Sequence, residues 1–472
     1  MPYPGETASK VAHVDVVSNP DVQAFLAGCE YLTPPSEEEG KSIGGLFKSV
    51  PTAANASLPA YVIAVDGSLH ETSLDDRFPS TKVGYVKVSA VLIDMQQMSE
   101  LRVDNGRFVD PFRVAELDRT STGLACCLPS ANVRRRGYSS VRDSFRAALD
   151  DYLLGTTTRF VPSSHKSSLR TTLFHLASRR PDAIRNDPDR LTLHRCPSCR
   201  ERNIEVADVP ELQHCPHCSQ PVYPSDVLRI WEEVEDYQSN LMALNRVMML
   251  LEHMLPIHYI RYLAESSLRS LGRLCFFVDG PLAVFGTAAW IHGAIMRYLY
   301  EINTRLARVG LAPVLLIGLQ KTGQVVDHLA LIDRFVECNR VSLVTDEYRY
   351  RYILAGRDPA GNGFGFETYY GQDFLLKTST GRSFVFSIQH PFASKGPQAE
   401  FNAARQNPSS FTELGRAVRL IEHFESDLYE NAVVPIALAH RHAAISLRPG
   451  SQVLDLLARR SLSDSSGYRD AV

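Results

Sequence analysis

Two groups of residues in this chain have types and spacings suited to chemistry. The first is Cys196-x2-Cys199 and Cys215-x2-Cys218, two knuckles fifteen residues apart, each with a proline after its first cysteine (Pro197, Pro216). Zinc prefers four tetrahedral ligands, and each short CxxC turn offers two thiolates at a fixed bite. With cysteine at all four positions no coordination site stays open, so the expected zinc is structural and catalysis belongs elsewhere. The second group is acidic. Asp66 ends the run YVIAVD and Asp279 ends LCFFVD, and a glycine follows each at once. An apolar strand that ends in Asp-Gly places a carboxylate where the backbone leaves the sheet. One such Asp-Gly is ordinarily a turn, but two on strands of one sheet, each preceded by valine, can hold or bridge divalent cations.

A third carboxylate would complete a metal-dependent hydrolytic site. Glu252 follows Met248 by one turn on the apolar stripe Leu241, Leu244, Met248, Leu251, Leu255, where an unpaired carboxylate is costly unless it binds a partner. Glu265 competes for the role, but Arg261 and Arg269 give it the neighbours of a solvated ion pair. Late in the chain, VVPIALAHRHAAI carries His440 and His442. Imidazole can bind a metal or carry a proton near neutral pH. The competing reading of His440 is a histidine packed at the end of a buried strand.

These residues need elements to hold them. Tyr61 to Ser68 and the run from Val83 read as adjacent antiparallel strands, and Val141, Phe145, Ala148, Leu149 and Tyr152 mark a helix over 139–154. The Leu241 stripe reads as a helix that Pro256 stops. Leu274 to Val278 is a short strand, 288–309 a helix, and the run after Pro313 another strand, and this order argues for a mixed α/β sheet with parallel neighbours. Phe364 to Ile388 reads as a hairpin, and helices are expected over 410–429 and near the C-terminus. The expected division is a lead-in over 1–58, a core in two parts over 59–155 and 236–450, an insertion over 156–235 holding the four-cysteine ribbon (about 195–221), and a tail over 451–472.

Composition bounds the partners. The 472 residues include 50 Lys+Arg and 53 Asp+Glu, a net charge of -3, which excludes a uniformly basic coat and an acidic solvating tail. Locally the balance differs, with nine basic residues against four acidic between His165 and Arg202. The N-terminal MPYPGETASK lacks the features of a signal peptide. The uncharged stretch from Gly280 to Met296 is broken by Pro281, Thr287 and His292 and reads as a buried amphipathic helix, so no membrane partner is expected. Paired CxxC motifs with five scattered cysteines suit a reducing cytoplasm.

Taken together, Val65-Asp66-Gly67-Ser68, Glu252, Val278-Asp279-Gly280-Pro281-Leu282 and the segment from Pro435 to Arg441 resemble the motifs of the NurA nuclease family, in the same order. LLIGLQKTG is also similar to a family strand that ends near a lysine, here Lys321. The resemblance spans Tyr61 to Ile445, and the ribbon is an addition to the minimal family pattern. It implies an RNase H-like mixed sheet flanked by helices, with manganese or magnesium held by Asp66, Glu252, Asp279 and His440, and Lys321 near the scissile phosphate. It further implies 5′ to 3′ exonuclease and single-strand endonuclease action on DNA, a homodimer, and a HerA-type hexameric ATPase partner in repair or antiviral defence. Consistent with an external energy source, the chain carries no GxxxxGK[ST] loop. The alternatives are a catalytically inactive zinc-ribbon adaptor that binds nucleic acid, and a metal-dependent RNA nuclease.

Overall fold

The computed structural model describes residues 9, 11–29, 33–52, 57–75, 77–100, 121–181, 187–354, 363–426, 432–447 and 450–463. Its centre is a nine-stranded mixed sheet. The strands are β1 (Lys48–Ser49), β2 (Tyr61–Ser73), β3 (Lys82–Asp94), β4 (Ser121–Pro129), β5 (Arg190–Arg195), β6 (Arg202–Ala207), β7 (Gln213–His214), β8 (Pro221–Val222), β9 (Leu274–Asp279), β10 (Leu315–Gln320), β11 (Arg340–Leu343), β12 (Gly371–Lys377) and β13 (Ser383–Gln389). The sheet runs in the order β1-β11-β12-β13-β10-β9-β2-β3-β4. Strands β2, β3 and β4 form an antiparallel meander, while β9 and β10 lie parallel to β2 on its other side. That five-strand order and direction is the RNase H-like arrangement, here extended by the antiparallel strands β13, β12, β11 and β1.

Helices cover both faces, which is why the central strands read as unbroken apolar runs. Ile63 and Val65 of β2 join one core with α1 (Val141–Leu154), α2 (Leu169–Ala177), α3 (Leu241–Ser266) and α4 (Ile291–Arg308). Val62 and Ala64 join the opposite core with α5 (Leu414–Phe424) and α6 (Val434–Ala443). A last helix, α7 (Gly450–Ser463), is tied to β2 through His70 and Asp455, 2.8 Å apart. The lead-in contributes β1 to the sheet edge, paired with β11.

Three local expectations are corrected. Pro256 does not stop its helix: α3 continues to Ser266, because every residue from Leu250 to His258 is buried and that packing offsets the roughly 3 kcal/mol cost of an interior proline. The stretch from Gly280 to Met296 is helical only from Ile291; before that it is loop, a bridge between Ala283 and Tyr369, and one short turn. The segment VVPIALAHRH is a helix from Val434 with Pro435 in its first turn, where the missing N–H costs nothing. A short apolar run buried on all sides has the same sequence pattern as a core strand. Among the described residues no helix is long and apolar enough to cross a membrane.

The cysteine module consists of the β5-β6 and β7-β8 hairpins. Its buried Leu191, Leu193, Ile204, Val206 and Val222 share a core with α2 and α3, and buried ion pairs lock it down. Arg146 of α1 holds Asp226, beyond β8, at 2.7 Å, and Arg170 of α2 reaches Asp208, directly after β6, at 3.6 Å.

Candidate active site

Sheet topology opens the site. Strand β2 pairs with β9 only as far as Val65 and Val278, whereas its pairing with β3 runs on to Ser73. Asp66 and Asp279 therefore stand side by side where β9 ends. Lys321 follows β10 directly and reaches both, its Nζ 3.0 Å from Asp279 Oδ2 and 3.5 Å from Asp66 Oδ2. His440, in the last turn of α6, places Nδ1 3.0 Å from Asp66 Oδ2 and is half exposed. Asp66 is only 2% exposed. Burial first, and then repulsion from Asp279, holds its carboxyl above the ordinary carboxylate range, against the pull of Lys321 and His440.

Glu252 arrives from the opposite face of the sheet. Leu244, Met248 and Glu252 lie on one side of α3, and this ridge rests on strand backbone at two glycines. A Cβ on Gly84 would lie 2.3 Å from Leu244 Cδ1, and one on Gly67 would lie 2.6 Å from Glu252 Oε1 and 2.8 Å from Met248 Cγ. The missing side chain at Gly67 lets the carboxylate down onto the strand, where the Gly67 N–H donates to it. Burial, followed by the charges of Asp66 and Asp279, pushes the Glu252 carboxyl well up. Glu265 lies elsewhere, 58% exposed and paired with Arg261 at 3.7 Å.

The structure thus brings Asp66, Asp279, Lys321 and His440 into direct contact, with Glu252 one step away within their field. The donors are hard oxygens suited to magnesium or manganese, and the Lys321 ammonium already occupies a cation position between two of them. Sequence reasoning missed the residues that hold this set. Ser68 Oγ accepts from the Ile445 N–H at 3.4 Å and lies 3.2 Å from Ser446 Oγ, tying the chain after α6 to β2. Gln320, just before Lys321, donates to Asp373 at 3.0 Å, and Asp373 is in turn held by Arg349 at 2.5 Å. The DGS serine was the one legible signal for the first of these.

At the ribbon, Cys196 and Cys218 sulfurs are 3.8 Å apart, as are those of Cys199 and Cys215, and all four lie within 4.8 Å of one another. A zinc–sulfur bond of 2.3 Å gives a tetrahedral edge of about 3.8 Å, so the four thiolates fit zinc, and the spacing is far too long for disulfides. Among the described residues no other His, Cys, Asp or Glu set gathers so tightly.

The NurA domain model matches residues 61–445. This chain belongs to the NurA family. NurA proteins are nucleases, so the chemistry to be explained is phosphodiester hydrolysis. Among solved structures, a crystal structure of NurA aligns over 98% of this chain and 97% of its own length at 13% identity, with a TM-score of 0.26. The RNase H-like arrangement rests on strand order, not on that superposition. No curated protein matches the chain.

The seat of Glu252 yields a direct test within the NurA framework. Gly67→Ala should displace Glu252 and lower nuclease activity about 10–100-fold, with a stability cost of about 1–3 kcal/mol from overpacking. Initial cleavage rates and thermal melts report both quantities; a variant as active as wild type would show that Glu252 need not rest on Gly67.

Proposed function

We propose that this NurA protein is a divalent-metal-dependent deoxyribonuclease, acting as a 5′ to 3′ exonuclease and single-strand endonuclease on DNA ends. The observation that carries the reading is the pair of aspartates on neighbouring parallel strands, Asp66 inside β2 and Asp279 at the end of β9, joined through one cationic group. Asp66, Asp279 and Glu252 would hold manganese or magnesium. The bound metal supplies an activated water and neutralises charge on the departing oxygen. Asp66 anchors His440 through Nδ1, which leaves Nε2 to hand a proton to that oxygen. Lys321, 24% exposed, faces the phosphate. Gly67 and Ser68 keep the set in register.

The family relation and the absence of an ATP-binding loop motif support a HerA-type hexameric ATPase as partner, with a homodimer as the working unit in DNA repair or antiviral defence. The near-neutral net charge fits a nuclease that relies on a translocase to deliver its strand.

The test is cleavage of end-labelled DNA and of matched RNA by the purified protein with manganese, with magnesium and with chelator. Cleavage of DNA that needs metal, and its loss in Asp279→Ala, is the expected result. Preference for RNA would convert the reading to a ribonuclease. No cleavage of either, even with a translocase present, would leave a nucleic-acid adaptor.

A further inference from the structure

Lys321 touches both aspartates at once, at 3.0 and 3.5 Å. A divalent cation held by Asp66 and Asp279 would take carboxylate oxygens at about 2.0–2.6 Å, and an ammonium seated against Oδ2 of both competes with it for the same two negative charges. The lysine is also built to move. Its neighbour Gln320 is fixed through Asp373 and Arg349, while its own four-carbon stem is flexible and its head is partly open to solvent. Without a positive charge between them, two carboxylates this close repel.

We propose that Lys321 is an internal counter-ion exchanged for the divalent cation: it holds Asp66 and Asp279 together in the metal-free protein and leaves them when metal enters, turning toward the substrate phosphate. The proposal rests on the nuclease reading above. It makes metal uptake a competition within the chain, so the lysine weakens metal binding even as it assists cleavage. A residue that merely braced the site would instead strengthen both.

The experiment is titration of the full-length protein with Mn2+, without DNA, followed by electron paramagnetic resonance. Wild type is compared with Lys321→Met, which keeps the stem without the charge, and Lys321→Arg, which keeps the charge. The Met variant should bind Mn2+ roughly tenfold more tightly, melt lower than wild type when metal-free, and recover fully at saturating Mn2+. Its cleavage rate should fall despite the tighter binding, and the Arg variant should keep wild-type affinity. Equal or weaker Mn2+ binding by the Met variant, with wild type binding and cleaving normally, overturns the counter-ion role alone. Failure of wild type to bind Mn2+ overturns the metal-site reading as well.

Discussion

Asp66→Asn is expected to lower metal-dependent DNA cleavage by at least about a thousandfold while the protein stays folded. Asparagine keeps the shape of the side chain and can still meet His440, which lies 3.0 Å from Oδ2, but it brings no negative charge to a cation. Stability should move the other way. Burial and Asp279 hold the Asp66 carboxyl above its ordinary range, so its ionised form burdens the metal-free fold, and removing it should leave the melting temperature unchanged or raised. The same shifts set a pH dependence. For both Asp66 and Glu252 the folded value lies above the unfolded one, so the folded state binds more protons. The stability contribution is therefore full below the ordinary carboxylate range near pH 4 and is lost as pH rises through the raised values. Metal-free protein should melt progressively lower across that rise, and a divalent cation, replacing the protons, should stabilise more at pH 8 than at pH 5. Melting curves of wild type and of Asp66→Asn, with and without Mn2+, check both statements. Wild-type cleavage by the variant would remove Asp66 from the site.

The second large effect is at the ribbon. The double variant Cys196→Ser, Cys215→Ser should release about one zinc per protomer and lower the melting temperature by more than about 10 °C. Structural zinc binding is worth on the order of 10 kcal/mol, comparable with the whole stability of an ordinary domain. Here the damage would spread. Arg146 and Asp226 are both buried and joined at 2.7 Å, Arg170 donates to the Val209 carbonyl at 2.5 Å, and Thr171 donates to buried Asp208 at 2.8 Å. If the hairpins come apart, these charges stay behind without partners, at several kcal/mol for each broken pair. The core of the ribbon is also the core beneath α3, which carries Glu252. Metal analysis and calorimetry decide the matter: a zinc-free wild-type chain that melts at the same temperature as the zinc-bound one would remove the structural role.

The sequence signals that held up were those in which the residue type alone forces a geometry. Two CxxC turns can hardly serve anything but one tetrahedral metal, and the Asp-Gly after LCFFV does end its strand. Asp66-Gly67, expected at a strand end as well, lies inside β2, which its pairing with β3 carries on to Ser73, yet the Asp66 carboxylate still shares Lys321 with Asp279. Elements whose pattern depends on what surrounds them were harder to read. Pro256 is a helix stop by local rule, yet the buried run around it keeps α3 intact. Val434–Ala443 opens with an apolar run like that of a buried strand and is a helix. The two-residue strand β1 is too short to leave a periodicity. The approach of Glu252 from the far face of the sheet depends on a missing side chain at Gly67, a relation between residues 185 positions apart in sequence that no spacing rule contains.

The contact between His440 and Asp66 spans 374 residues. During synthesis at 5–20 residues per second, about 20–75 s separate the emergence of the aspartate from that of the histidine. Throughout that interval the growing chain has the first carboxylate, and later the second and third, without the imidazole, and the Ser68 tether to Ile445 has nothing to hold. The full set of site side chains exists only once synthesis has passed His440 and Ile445, so an enzyme that cuts nucleic acid is made in a form that cannot assemble its centre before then.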